Sequence, residues 1–277
     1  TDYRLMPELP EVQSVVNHFK PYLLNQFIHS IDYLNNYEKV FETHSSNDLN
    51  KHVANQKISK VWRRGKYIVI DVSNGHLCIH LRMTGQLQVG CNKTDNTNHF
   101  TALINLKNKS KIYFKDYRKF GRIYFFKDLS ILNYRLGPEP FDSSFNYKYL
   151  KTTLAKSRGM IKPKLLNQMF IAGLGNIYVD EVLWQSKIHP EKPCNKISGI
   201  KIKRLFNAIP IILQKSIKFN GTTIINFSPG NKTKGEFANY LNVFGKQGQS
   251  CPKCDTIIRK IFVSQRGTHF CPKCQKL

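Results

Sequence analysis

Three groups of side chains have the types and spacing to do chemistry. Cys251-Pro252-Lys253-Cys254 and Cys271-Pro272-Lys273-Cys274 are two CxxC pairs separated by sixteen residues. That spacing suits two hairpin knuckles, each offering two thiolates to a tetrahedral zinc ion. Four protein ligands leave no open position, so the expectation is one structural Zn2+. A redox CxxC is the rival reading, but it would follow a strand in a βαβ unit, a pattern absent here. The second group is Met6-Pro7-Glu8-Leu9-Pro10-Glu11. Removal of Met6 would leave Pro7 with a free secondary amine. An α-amino group has a pKa of roughly 8, against roughly 10 for lysine, so a useful fraction is neutral at pH 7. Such an amine attacks sugar or carbonyl carbons to form Schiff bases, with Glu8 beside it to move protons. The same six residues also make an ordinary helix entrance, with Pro10 in the first turn and Val12, Val15, Val16 and Phe19 at helical spacing. Alone they favour the helix entrance.

The third group is Lys107 to Lys127, with eight Lys or Arg and Asp116 as its one acid. Tyr113, Phe114, Tyr117, Phe120, Tyr124 and Phe125 interleave with the cations. That mixture suits phosphate binding with base stacking, and equally a strand pair with one charged face. Ala172-Gly173-Leu174-Gly175-Asn176 is a Gly-rich turn whose N–H groups could meet a phosphate at a helix start, although its spacing matches no nucleotide-binding loop.

These groups need positioning elements. From Gln26 to about Leu132 the chain reads as short strands. Lys66–Val72 and His76–Leu81 flank Asn74-Gly75, a tight-hairpin signal. Phe100–Leu106 and Lys111–Phe114 form a second hairpin through 107–110, and Arg122–Phe126 adds a strand. Many short strands with turns suggest a β-sandwich or barrel, the first helix packing on its side. Gly137-Pro138-Glu139-Pro140 marks a linker. Helical signals follow over Tyr147–Lys156, from Pro163, from Asn176 to His189, and from Ile200 to Phe219 with Ser198 as cap. Asn220 to Tyr240 reads as a long mobile loop.

Of 277 residues, 43 are Lys or Arg and 18 are Asp or Glu, a formal charge of +25. This charge suits a polyanion, nucleic acid before an anionic membrane surface. No run of about 18 apolar residues is present, nor a signal-like start. Seven cysteines, four of them clustered, favour a metal site in a reducing compartment over a disulfide framework.

Together these pieces resemble the formamidopyrimidine-DNA glycosylase family of bacterial base-excision repair enzymes, from Met6 to Leu277. The motifs are Met6–Val12, His80-Leu81-Arg82-Met83-Thr84-Gly85, Asp116-Tyr117-Arg118-Lys119-Phe120-Gly121, and Gly173–Tyr178 with the cysteine pairs. The resemblance implies an α+β multidomain fold. Its parts are an N-terminal β-sandwich with flanking helices over 7–132, a helix-two-turn-helix domain over 141–230 and a zinc finger over 243–277. It implies excision of oxidised purines (8-oxoguanine, formamidopyrimidines) and strand cutting by β,δ-elimination. By the same resemblance Pro7 is the nucleophile on C1′, Glu8 its acid/base partner, and Lys66 assists β-elimination. Arg266 contacts phosphate and serves δ-elimination. His99, Arg118, Arg158, Lys162 and Asn176 match DNA-binding positions, and Met83, Arg118 and Phe120 fill the gap left by the extruded base. Gly221–Tyr240 matches the loop that closes over that base. The implied partner is damaged double-stranded DNA, with no membrane, for a monomer in the bacterial cytoplasm at the nucleoid.

Gln13 stands where an acid is frequent in the family, and Arg82 where Gly is common. Leu9 fits the purine-directed branch, whereas endonuclease VIII, the sister enzyme for oxidised pyrimidines, starts Pro-Glu-Gly-Pro. A third reading is a non-catalytic zinc-containing DNA-binding protein with a blocked Pro7. Thr1 to Leu5 precede Met6 and would occupy the place of the damaged sugar. The active species is therefore expected to begin at Pro7.

Overall fold

The computed structural model describes residues 6–91, 97–222, 225–228, 231–233 and 235–277. Thr1–Leu5, and the expectation that they occupy the sugar's place, lie outside the described residues. The chain divides into two compact units, Thr1–Leu132 with Phe219–Glu236, and Asn133–Lys218 with Phe237–Leu277.

In the first unit, helix α1 (Leu9–Leu23) starts from a capping box between Glu8 and Glu11, with Pro10 in its first turn. Val12, Val15, Val16, Phe19 and Leu23 are buried at helical spacing. After β1 (Ile28–Tyr33) comes α2 (Ser46–Val53), a helix inside the stretch read as strands. Its start is a local signal: Asp48 N–H donates to the hydroxyl of the N-cap Ser45 at 3.2 Å. Strands β2 (Lys60–Arg64), β3 (Tyr67–Val72), β4 (Gly75–His80), β5 (Gly85–Val89), β6 (Phe100–Leu106), β7 (Lys111–Asp116) and β8 (Arg122–Phe126) follow. They form two four-stranded sheets, β1-β6-β7-β5 and β2-β3-β4-β8, with every neighbouring pair antiparallel. Ile68, Ile70, Leu77 and Ile79 of one sheet share a single apolar core with Leu87, Ile104, Ile112 and Phe114 of the other. This is the expected sandwich.

The β3–β4 hairpin sits one residue earlier than its Asn-Gly signal suggests. Val72 pairs with Gly75, so Ser73 and Asn74 form the loop. Gly75 is required instead by close packing, because a Cβ there would lie 2.4 Å from the Phe126 carbonyl oxygen of β8.

The chain passes from the first unit to the second within α3 (Ser130–Tyr134), and the second unit holds α4 (Tyr147–Ala155), α5 (Ile161–Leu166), α6 (Asn176–Gln185) and α7 (Gly199–Lys218). Gly137-Pro138 is a packed crossing rather than a loose linker. Gly137 N–H donates to the Gln168 carbonyl at 2.8 Å, and Ala172 N–H to that of Pro138 at 3.1 Å. Every α6 residue from Ile177 to Trp184 is buried, so the helix lacks a polar stripe. Two strands of the stretch read as a loop, β9 (Ile225–Ser228) and β10 (Asn231–Thr233), pair antiparallel in the first unit. The zinc-finger hairpin is β11 (Arg259–Val263) with β12 (Arg266–Phe270).

Gly121 is a sharp test of core packing, because a Cβ there would lie 2.4 Å from the Phe114 ring. Gly121→Ala should destabilise the fold by about 1–3 kcal/mol. Gly159→Ala, in open space, should change it by no more than about 0.5 kcal/mol. Denaturant unfolding of both variants measures the difference.

Candidate functional site

Each unit holds part of the expected site. In the first, the α1 entrance places Glu8, which is buried. Its N–H donates to Glu11 Oε2 at 3.0 Å. Glu11 Oε1 then accepts the Thr222 N–H at 2.9 Å and its hydroxyl at 3.1 Å. One carboxylate thus ties the helix entrance to the start of the 219–236 segment. Gly221 permits this contact with φ +77, and a Cβ there would lie 2.5 Å from Glu11 Oε1. Pro7 is half-buried at the same entrance, its nitrogen in the peptide bond to Met6.

Lys66 lies in the turn between β2 and β3, beside Gly65 at φ +57, and is buried. Nearby, burial, with the positive charges of Arg82 and Lys66, pushes His80 down from its ordinary 6.5 to about 3. The ring is therefore neutral at pH 7, and its Nδ1 accepts the Arg82 N–H at 3.0 Å.

The β4–β5 and β7–β8 connections bring Met83, Arg118 and Phe120 together. Arg118 Nη1 is 3.2 Å from Met83 Sδ, and its guanidinium lies 4.7 Å from the Phe120 ring centroid. Phe120 is 47 % exposed. Asp116 builds this arrangement. Its carboxylate accepts the Thr84 hydroxyl, the Arg118 N–H at 3.2 Å and the Gly121 N–H at 2.6 Å. The reading of residue types assigned Asp116 no role. Its signal was there: the one acid among eight cations, placed where its side chain can bond its own backbone two residues on. His99 packs against Tyr117 with ring centroids 4.4 Å apart. Met6, Met83 and Phe120 line one cleft of about 400 Å³ with Arg82, Glu42, Arg122 and Tyr124.

In the second unit, Arg158 is exposed between α4 and α5. Asn176, the first residue of α6, donates from Nδ2 to the Gly267 carbonyl at 3.0 Å, while its Oδ1 has no hydrogen-bond partner among the described residues. Lys162 is fully buried. Its Nζ lies 2.6 Å from Asp180 Oδ1 and 3.3 Å from the same Gly267 carbonyl. The structure thus places Lys162, matched to a DNA-binding position, in an interior ion pair. Asp180 Oδ2 accepts the His269 N–H at 2.8 Å. These bonds fix β12 against α6 and hold exposed Arg266 just past the hairpin tip. The turn itself is Ser264-Gln265, both at positive φ.

The Sγ atoms of Cys251, Cys254, Cys271 and Cys274 all lie within 4.8 Å of one another. Cys254 Sγ is 3.4 Å from those of Cys271 and Cys274, and Cys251 Sγ is 4.0 Å from that of Cys274. A tetrahedron with Zn–S of about 2.3 Å has edges of about 3.8 Å, so the four sulfurs fit one zinc and leave no position open. Burial pushes the Cys274 thiol up to about 12, whereas the Thr256 hydroxyl and N–H hold Cys254 down at about 6. A dication at the centre stabilises all four as thiolates. The Trp184 indole N–H donates to Cys251 Sγ at 3.4 Å, joining the cluster to α6.

Two predictions follow from this geometry. The folded His80 resists protonation more than the unfolded one, so its contribution to stability is complete above about 6.5 and is lost as pH falls toward about 3. His80→Gln should flatten that part of the stability–pH curve, measured by chemical unfolding across the window. Metal analysis should find one zinc per chain, and chelation should unfold the β11–β12 hairpin while the sandwich stays folded, as followed by NMR.

The architecture matches known proteins throughout its length. Family models match residues 6–123 (formamidopyrimidine-DNA glycosylase N-terminal domain), 136–228 (formamidopyrimidine-DNA glycosylase H2TH domain) and 248–277 (zinc finger found in FPG and IleRS). The formamidopyrimidine-DNA glycosylase of Protochlamydia amoebophila is 40% identical over 280 residues, covering 98% of this chain and 100% of that one. The structure of MutM in complex with carbocyclic 8-oxo-G containing DNA superposes with a TM-score of 0.88 at 38% identity, covering 98% of this chain and 100% of that one. A Lactococcus lactis FPG mutant in complex with Fapy-dG containing DNA gives 0.89 at 37% identity with the same coverage. With all three of its parts matched and a full-length relative at this identity, the chain belongs to the formamidopyrimidine-DNA glycosylase family.

Proposed function

We propose that this protein is a base-excision repair glycosylase that removes oxidised purines from double-stranded DNA and then cuts the strand at the abasic site. The observation that carries the reading is the cleft of the first unit, where Met6, bonded to Pro7, lines the same cavity as Met83 and Phe120. An amine released at Pro7 then stands beside side chains suited to fill a gap in a base stack. The similar structures with 8-oxo-G and Fapy-dG DNA support the substrate class, as does Leu9.

A base-removing enzyme cannot reach C1′ inside a stacked duplex, so the nucleotide must be extruded. Met83 and Phe120 replace the lost stacking, and Arg118 bonds to the orphaned base. The Pro7 nitrogen attacks C1′, and the C1′–N9 bond breaks with its electron pair on the base, which takes up a proton. Glu8 protonates O4′ as the C1′–O4′ bond opens. Pro7, having lost its own proton, becomes an iminium. That iminium acidifies the C2′ proton, whose removal expels the 3′ phosphate; a second elimination expels the 5′ phosphate. Lys66 assists the first elimination. Arg266 holds phosphate for the second, with His99, Arg158 and Asn176 as further DNA contacts. Lys162, inside its ion pair with Asp180, positions Asn176 and the Arg266 hairpin through the Gly267 carbonyl. Zinc holds that hairpin and takes no part in bond making.

The mechanism requires an amine at Pro7, because an amide nitrogen delocalises its lone pair into the carbonyl and does not attack. A chain begun at Met6, with Met6 removed, should give a covalent adduct with 8-oxoguanine duplex on borohydride reduction. A chain proven by mass to retain Thr1 should give none, and Glu8→Gln in the shorter chain should lose base excision. An adduct from the Thr1 chain would transfer the chemistry to a lysine such as Lys66. DNA binding with no adduct from either would leave a non-catalytic DNA-binding protein. Preference for an oxidised pyrimidine duplex would indicate endonuclease VIII-like specificity.

A further inference from the structure

The β4–β5 turn carries an arginine where its backbone suits glycine. Arg82 has φ +53, a left-handed conformation costly for a residue with a Cβ. The turn is closed by one backbone bond and one to a side chain: Gly85 N–H donates to the Leu81 carbonyl at 3.0 Å, and Arg82 N–H to the His80 ring Nδ1 at 3.0 Å. None of these bonds uses the Arg82 side chain. Lys119, in the facing β7–β8 connection, also has a left-handed φ, +55. There the conformation is repaid internally: the Lys119 carbonyl accepts the Tyr37 hydroxyl at 2.6 Å and Arg122 Nη1 at 2.9 Å, and its ammonium lies over the Tyr37 ring.

The exposed Arg82 guanidinium has no such compensation. Among the described residues no carboxylate pairs with it, and Glu42, the acid lining the same cleft, is bonded to Arg122 at 3.0 Å. The other site cation here, Arg118, is engaged with Met83 and Phe120. Arg82 therefore presents an uncommitted, planar, bidentate cation to a cleft that also holds Met6 and both apolar gap-filling side chains. Strain that the fold does not repay is found where a partner outside the chain repays it.

We propose that Arg82 is an additional DNA-binding residue that takes a backbone phosphate next to the extruded nucleotide. The inference rests on the glycosylase reading of this cleft. A nucleotide whose C1′ reaches Pro7 carries a phosphodiester on each side of its sugar, and a guanidinium matches that anion bidentately. A phosphate is also indifferent to sequence, so Arg82 adds affinity at the lesion without reading the opposite base.

The test is binding of the chain begun at Met6, with Met6 removed, to a duplex with a tetrahydrofuran abasic analogue, measured by fluorescence anisotropy over a salt series. Arg82→Gly should weaken binding several-fold at about 0.1 M salt and lower the slope of log K against log salt by about 0.9, the loss of one phosphate contact. Arg82→Gln keeps the left-handed backbone demand and removes only the charge, so it should lower the slope equally. Arg82→Lys should retain it. The loss should be the same with each of the four bases opposite the analogue. An unchanged slope in both neutral variants, or a loss confined to one opposite base, would overturn the inference while leaving the glycosylase reading intact. Wild-type protein that binds the analogue no better than undamaged duplex would overturn both.

Discussion

The site residues are held by buried carboxylates that accept main-chain N–H groups. Glu11, Asp116, Asp180 and Glu181 are each 1 % exposed. Glu11 takes N–H groups from Glu8 and Thr222, and Asp116 from Arg118 and Gly121. Asp180 takes that of His269, and Glu181 those of Asn242, Val243 and Phe244. Removing a carboxylate from water costs several kcal/mol unless short charge-assisted hydrogen bonds replace the water. Glu11, Asp116 and Glu181 find such bonds at irregular backbone or a helix entrance, and Asp180 finds one on strand β12. A turn or a helix entrance thereby becomes as fixed as a strand.

The four acids lie close in sequence to the groups that would touch substrate. Glu11 is three residues from Glu8, and Asp116 two from Arg118. Asp180 is four residues from Asn176, and the His269 it holds is three from Arg266. A groove that must accept a polyanion cannot position its cations by pairing them with surface acids, because those acids would repel phosphate and occupy the guanidinium groups. A buried acid bonding to the backbone, as Asp180 does at His269, gives the position while leaving Arg266 facing solvent. Lys162 shows the complementary device, a cation used internally to join Asp180 to the Gly267 carbonyl.

Much of this was legible in the residues. The zinc ligands followed from spacing, since four thiolates at a CxxC repeat have few other uses. The sandwich followed from alternation and turns, and α4 and α7 from apolar period and caps, with Pro210 inside α7. The failures share a physical origin. Asn74-Gly75 misplaced its turn because Gly75 answers to Phe126 across the sheet, a neighbour some fifty residues away that local sequence does not reveal. Lys162 was matched by resemblance to a DNA-binding position, and residue type does not disclose its burial. Asp180, its partner, lies eighteen residues on, in a helix packed on every side. The 220–240 stretch looked unstructured because its polar, Gly-rich composition hides a short strand pair. The motif resemblance placed Pro7 within a site and gave Arg82 only as a departure from a common Gly; the strain at Arg82 is a dihedral angle, which a sequence does not print.

Burying acids also shapes the field outside. The chain has 43 basic and 18 acidic residues, and Glu8, Glu11, Asp116, Glu139, Asp180 and Glu181 are all buried. The surface facing solvent is therefore short of acids beyond what composition alone implies, and its cations are correspondingly less neutralised. Such a surface attracts duplex of any sequence, which brings the protein to DNA and lets it move along the backbone. It cannot by itself distinguish a damaged nucleotide. That discrimination needs groups that act only once a base has left the stack, the role proposed for Phe120 with Met83 and Arg118: Phe120 keeps apolar surface in water, a cost that a gap in the stack would recover. On the proposed reading, general attraction comes from charge left over after the acids are buried, and selectivity from the Met83–Arg118–Phe120 group that Asp116 holds in place.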